Sequence, residues 1–171
     1  KDIVYNENLG NPTEWATGST MASGTVNYNN TNFPYIGSKA ALISSQADGT
    51  LSFTAPDTIQ FSSYNVLQFF LRRGGLSDPS TNIIQVGFTF EGVPVSSLVP
   101  VNFTYGYDVS LIGSYQNISI PIPAFTLTSS IADGIIIKVV GNDQLYLDYI
   151  QLQSGIIPPS TNLDGRYLKL F

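Results

Sequence analysis

Residues 83–91, IIQVGFTFE, alternate without interruption: Ile84, Val86, Phe88 and Phe90 share one face, and Gln85, Gly87, Thr89 and Glu91 the other. A repeat of two places successive side chains on opposite sides of a strand, and a helix cannot gather such a pattern into one apolar stripe. The same signature recurs along the chain. It predicts strands at Ala40–Ser44, Thr50–Thr54, Val66–Arg72, Ile83–Glu91, Tyr115–Ile120, Gly134–Val140 and Leu145–Gln153, with weaker segments at Asp2–Tyr5, Thr25–Tyr28 and Val99–Phe103. In the last long segment the apolar parity changes after Leu147, so a bulge is expected near Asp148. Asp48-Gly49, Gly74-Gly75, Asp78-Pro79, Glu91-Gly92, Asp133-Gly134 and Gly141-Asn142-Asp143 read as the turns between strands. Short strands punctuated this way predict an all-β chain folded as an antiparallel β-sandwich, with helix limited to about one turn around Ile131.

At 171 residues the chain has room for one such domain. It is expected to occupy residues 1–155. Residues 156–171 open on a linker, Ile156-Ile157-Pro158-Pro159-Ser160-Thr161-Asn162, and continue into a second kind of segment. The opening Lys1-Asp2-Ile3-Val4-Tyr5 has neither a starting Met nor the apolar run of a signal peptide, so the chain reads as part of something longer. No apolar run is long enough to span a membrane as a helix.

Composition excludes several functions. Seven Lys and Arg against twelve Asp and Glu give a net charge of −5, so the phosphate-neutralising face of a nucleic-acid binder cannot be assembled. With no His and no Cys, the His-dependent nucleophile pairs, thiolate chemistry, haem and Fe–S ligation and the usual zinc sites are all removed. Three Glu and nine Asp are enough for some pair to meet at glycosidase spacing by chance, and nothing in the sequence flags one. The chain therefore reads as a non-enzymatic module.

Two segments carry a resemblance. The opening Val4-Tyr5-Asn6-Glu7-Asn8-Leu9-Gly10 with Trp15 downstream, and the closing Leu145-Tyr146-Leu147-Asp148-Tyr149-Ile150-Gln151-Leu152, are similar to the first and last strands of jelly-roll carbohydrate-binding modules. The resemblance implies a jelly roll in which those two strands are neighbours. It also implies a structural calcium held by Glu7 and Asp148, with Asn6 as a further ligand, since an all-oxygen donor set suits Ca²⁺. Asp148 has a plainer alternative, capping the bulge or bonding a backbone amide. A sugar site would need exposed rings beside hydroxyl-binding side chains. Tyr105, Tyr107 and Asp108, with Tyr35, are the candidates; the alternative for the two tyrosines at 105 and 107 is packing over the sandwich edge. Trp15 reads as a core plug.

The closing segment Leu163-Asp164-Gly165-Arg166-Tyr167-Leu168-Lys169-Leu170 resembles the joints between modules of bacteriophage tail fibres. This resemblance implies a virion appendage that adheres to host-surface glycans, with other virion proteins as partners. It implies a homotrimer in which Leu168, Leu170 and Phe171 turn toward a shared axis, unless the tail folds back on its own sandwich. The second function is a carbohydrate-binding module of a secreted or cell-surface polysaccharide-degrading enzyme.

Overall fold

The computed structural model describes residues 2–5, 15, 19–74, 83–141 and 143–154. Ten strands follow in chain order: β1 Asp2–Tyr5, β2 Thr20–Asn30, β3 Ala40–Gln60, β4 Val66–Arg73, β5 Ile83–Phe90, β6 Val93–Pro94, β7 Val99–Pro100, β8 Gln116–Pro121, β9 Ile131–Val140 and β10 Asp143–Gln153. Every pairing between them is antiparallel. Hydrogen bonding runs in the order β6-β5-β9-β3-β10-β4-β8, with β1 on β10, β2 on β3 and β7 on β5.

The long strand β3 divides this path into two leaves. Its residues 41–45 pair with β10, whereas residues 48–54 and 59–60 pair with β9. The first leaf is β8-β4-β10 with the start of β3, and the second is the rest of β3 with β9 and β5. The alternation anticipated from the sequence points Leu67, Phe69 and Leu71 of β4, Ile118 and Ile120 of β8, and Leu145 and Leu147 of β10 inward from one side. Leu51 and Phe53 of β3, Ile135, Ile137 and Val139 of β9, and Ile84, Val86 and Phe88 of β5 join the same core from the other. Phe88 meets Phe61 and Phe125 edge-on, at centroid separations of 4.9 and 4.8 Å, the preferred geometry for buried rings. Trp15 is fully buried in this core.

The structure corrects three expectations. Asp48-Gly49 is no turn: β3 continues through it for 21 residues. A side chain at Gly49 would collide with Ser45 Oγ and the Met21 methyl, so the glycine serves the close approach of β2 and β3. Asp133-Gly134 likewise lies inside β9, where a Cβ on Gly134 would strike Thr89 Oγ1 of β5. Ile131 begins β9 and no helix forms there. Single 3-10 turns occur instead at Phe61–Ser63, Phe103–Tyr105 and Ile122–Ala124. The bulge is where it was expected: β10 gains a residue against β4 between Asp148 and Gln151, and Tyr149 adopts φ 50. The first and last strands are neighbours, with Asp2 opposite Leu152 and Ile3 opposite Gln151. Among the described residues no helix is long and apolar enough to cross a membrane.

Candidate functional site

Because Phe69 faces the core, its neighbour Phe70 must face away from it. The strand register then builds the outer face of the first leaf. Phe70 lies opposite Asp148 on one side and Asn117 on the other; Arg72 lies opposite Tyr146; Gln68 lies opposite Gln151 and Ser119. A neutral amide network covers one end of this face. Gln68 donates to Asn117 Oδ1 at 3.0 Å, and Gln151 and Gln153 donate to Gln68 Oε1 at 2.8 and 2.7 Å.

A strap, residues 31–39 between β2 and β3, crosses the other end. The backbone N–H groups of Tyr35 and Ile36 donate to Asp148 Oδ2 at 2.9 and 3.1 Å. The Tyr115 hydroxyl donates to the Phe33 carbonyl at 2.7 Å. The Tyr35 ring lies flat on Phe70, with centroids 3.8 Å apart and planes 18° apart, and the Tyr115 ring stands 5.3 Å from it, tilted. The Arg72 guanidinium sits 3.9 Å from the Phe33 ring centre, and Phe33 meets Tyr146 edge-on. Phe33 holds φ 57, a costly conformation for an aromatic residue that these surrounding contacts stabilise.

Between the strap and the loop that precedes β8 runs a groove of about 350 Å³. Tyr35, Phe70 and Tyr115 supply its aromatic wall, Asn117 and Gln116 its amides, and Phe103, Leu111 and Asp108 its far side. That far loop is pinned to β8 by Gln116, whose Oε1 accepts from the Asp108 N–H at 2.6 Å and whose Nε2 donates to the Asp108 carbonyl at 3.0 Å. The Asp108 carboxylate accepts from the Ser110 hydroxyl and N–H at 2.6 and 2.9 Å. Those two bonds favour the charged form and hold its carboxyl below the usual range, so it is an anion at neutral pH. Burial, with the charges of Asp148 and Tyr146, raises the Tyr115 phenol well above its ordinary range against the opposing pull of Arg72. It therefore stays a neutral donor.

Two of the four residues expected at a sugar site, Tyr35 and Asp108, line this groove. Tyr107 does not contribute a stacking face. It is only 3% exposed and belongs to the core, because Asn102 caps the 3-10 turn and Gly106, at φ 100, reverses the chain and sends the ring inward. Tyr105 is half-buried against the same core. The platform is instead Tyr35 on Phe70 with Tyr115. Phe70 had a signal in the sequence: of two adjacent phenylalanines in one strand, only one can point inward. Phe103, Leu111 and Asn117 come from segments that only the tertiary fold brings together.

Of the residues named for calcium, Glu7 and Asn6 lie outside the described residues. Asp148 is 1% exposed and bonds backbone amides through Oδ2, the plainer of its two alternatives. Among the described residues no three His, Cys, Asp or Glu side chains gather as metal ligands. The fibre-like segment 163–170 and the expected trimer contacts at Leu168, Leu170 and Phe171 lie outside the described residues as well.

No family model and no curated protein matches the chain. Solved structures do. A family 11 carbohydrate-binding module from Clostridium thermocellum, in complex with a β-1,3-1,4-mixed-linked tetrasaccharide, superposes with TM-score 0.51 at 14% identity, over 81% of this chain and 85% of that one. A mutant of a family 29 carbohydrate-binding module complexed with mannohexaose gives TM-score 0.52 at 13% identity, over 86% of each chain. The fold is the jelly roll of the carbohydrate-binding modules. A β-1,2-glucanase from Parabacteroides distasonis contains it too, with TM-score 0.66 at 10% identity over 92% of this chain. The chain spans 26% of that enzyme's length. At these identities the likeness is one of fold, and the fibre resemblance gains nothing from it.

Proposed function

We propose that this jelly roll is a carbohydrate-binding module that takes a neutral polysaccharide along the groove beside Tyr35. The observation that carries the reading is the exposed face of Tyr35, backed by Phe70 at 3.8 Å and flanked by Tyr115, with Asp108 and Asn117 within the same groove. The apolar face of a sugar ring stacks on such a platform, while its hydroxyls bond a carboxylate and an amide. Asn117 Oδ1 already accepts from Gln68 and Ser119, so its Nδ2 is the group with capacity left for a ligand. The low charge of the chain and the neutral amide network fit a ligand recognised through hydroxyls rather than through ion pairs. The mixed-linked tetrasaccharide and mannohexaose named with two of the neighbours support a glycan of this kind. Such a module meets its ligand outside the cell or at its surface, either appended to a polysaccharide-acting enzyme or displayed for adhesion.

The test is titration calorimetry with mixed-linked β-glucan oligosaccharides, mannohexaose and xyloglucan oligosaccharides. Binding of at least one, weakened by more than about tenfold in Tyr35→Ala, supports the reading. Absence of heat with all of them, together with no retardation in gels cast with the parent polysaccharides, would sink it.

A further inference from the structure

Asp148 is buried in the sheet beneath the strap, and nothing places it in the groove: its carboxylate is absent from the lining residues, and its Oδ2 accepts the N–H groups of Tyr35 and Ile36 from residues more than a hundred positions away in sequence. The Tyr115 hydroxyl reaches the Phe33 carbonyl, and the rings of Phe33 and Tyr35 lie on Arg72, Tyr146 and Phe70. Tyr35 itself is 45% exposed, so its seat on Phe70 is not secured by burial alone. A carboxylate accepting two backbone N–H groups in a dry site is a strong, directional anchor, roughly twice as strong as a neutral pair. It fixes the backbone at the residue whose ring forms the platform, and at the residue after it.

From this we infer that Asp148 is a positioning residue for ligand binding: its carboxylate latches the strap so that Tyr35 lies flat on Phe70 and presents one face to the groove. The inference rests on the reading of the groove as a glycan site. It also fixes which ring the sugar meets. With the strap latched, Tyr35 lies over one face of Phe70, which acts as its backing, and the ligand stacks on Tyr35. Binding through a bare Phe70, with the strap lifted as a lid, is the opposite arrangement.

The experiment has two arms. The first uses no ligand: amide hydrogen exchange on the full chain, comparing wild type with Asp148→Ala. The Tyr35 and Ile36 amides are expected to be protected in wild type and to exchange at least about tenfold faster in the variant, while the β4 amides stay protected. Equal exchange at Tyr35 and Ile36 in the two proteins overturns the latch whatever the chain binds. The second arm measures affinity for mannohexaose and the mixed-linked tetrasaccharide in a double-mutant cycle. Asp148→Ala is expected to weaken binding by about tenfold in wild type and by less than about twofold when Tyr35 is already alanine, because the two changes act through one ring. Asn at 148 retains an oxygen for the two amides, so Asp148→Asn is expected to lose only about threefold. If Asp148→Ala fails to fold, Asp148→Asn and Tyr115→Phe carry the same cycle against Tyr35→Ala. Equal losses with and without Tyr35, or tighter binding once the latch is removed, overturn the inference. Failure of wild type to bind any glycan removes the glycan reading and leaves the latch to be decided by the exchange arm.

Discussion

The two leaves of the sandwich have similar inner faces and unlike outer ones. Outside the second leaf stand Thr50, Ser52 and Thr54 of β3, Ile136 and Lys138 of β9, and Gln85 and Thr89 of β5, a partly exposed face of mostly polar side chains. Outside the first leaf stand Arg72, Phe70, Gln68, Tyr146, Asp148 and Gln151, several of them buried. Gln68, Asp148 and Gln151 are buried polar or charged side chains on this outer face, whereas none of the second-leaf side chains just named is buried. Burying polar groups costs stability unless each finds partners. On the proposed glycan reading, the first leaf carries recognition and the second is scaffold.

The sharpest way to break the comparison is to remove the platform. Tyr35→Ala is expected to weaken glycan binding by more than about tenfold while leaving it measurable, with the melting temperature little changed because the ring is half-exposed. The matching change on the second leaf, Lys138→Ala, is expected to leave the affinity within about twofold, since surface changes away from a site are near neutral. Calorimetry on both decides. Comparable losses from the two leaves would remove the distinction.

The converse experiment strikes the scaffold alone. In Gly134→Ala the new methyl meets Thr89 Oγ1 and lies 3.1 Å from the Phe53 carbonyl, forcing β3, β9 and β5 apart. A loss of about 1–3 kcal/mol is expected in denaturant unfolding, with glycan affinity of the folded fraction unchanged. Loss of affinity at full folding would mean that the leaves are coupled.

Gly134 also marks the limit of what the sequence made legible. The alternation of β4, β5, β9 and β10 and the bulge at Tyr149 follow from side-chain parity, a local property. Asp48-Gly49 and Asp133-Gly134 have turn composition, yet in each the glycine answers to a neighbouring strand, which no local pattern reveals. The site divides the same way. Tyr35 and Asp108 lie in stretches of loop composition, among Asn, Thr, Gly and Pro. Tyr107 had the same surroundings and points inward, because the choice is made by a cap at Asn102 and a reversal at Gly106. The role of Asp148 depends on a strap more than a hundred residues away, so its sequence neighbours could suggest only the two alternatives of metal ligand and amide partner.

A smaller effect distinguishes the strap from β2 by pH. The Tyr115 phenol is raised above its ordinary 10.0, mainly by desolvation, and Tyr28 on β2, half-buried, is pushed up to about 12 for the same reason. For a raised phenol the unfolded chain loses its proton first. The stabilisation is therefore complete below pH 10.0, and it is lost as the pH climbs through the folded-state values. Melting temperature followed from neutral to strongly alkaline pH should be flat and then fall. Tyr115→Phe and Tyr28→Phe should each flatten part of that fall, and only Tyr115→Phe should speed exchange at the strap amides. An alkaline fall unaltered in both variants would show that neither phenol governs it.

The smallest expected effect concerns the charge across the groove from the platform. Asp108 is kept anionic by its two bonds from Ser110, and among the groove-lining residues it is the one with a formal charge. A neutral sugar gains a hydroxyl bond from it. A uronic acid placed against the same wall meets a like charge, with solvent close by to screen it, so discrimination should be modest and should shrink with salt. Asp108→Asn keeps an acceptor for the Ser110 N–H and removes the charge. Affinity for mannohexaose is expected to drop by about threefold, in line with a hydrogen bond changed from charged to neutral. Affinity for a uronate-containing oligosaccharide of equal length should rise at low salt, and the gap between wild type and variant should close as salt is added. A variant that favoured neither ligand would take Asp108 out of the site and leave recognition to the rings and to Asn117.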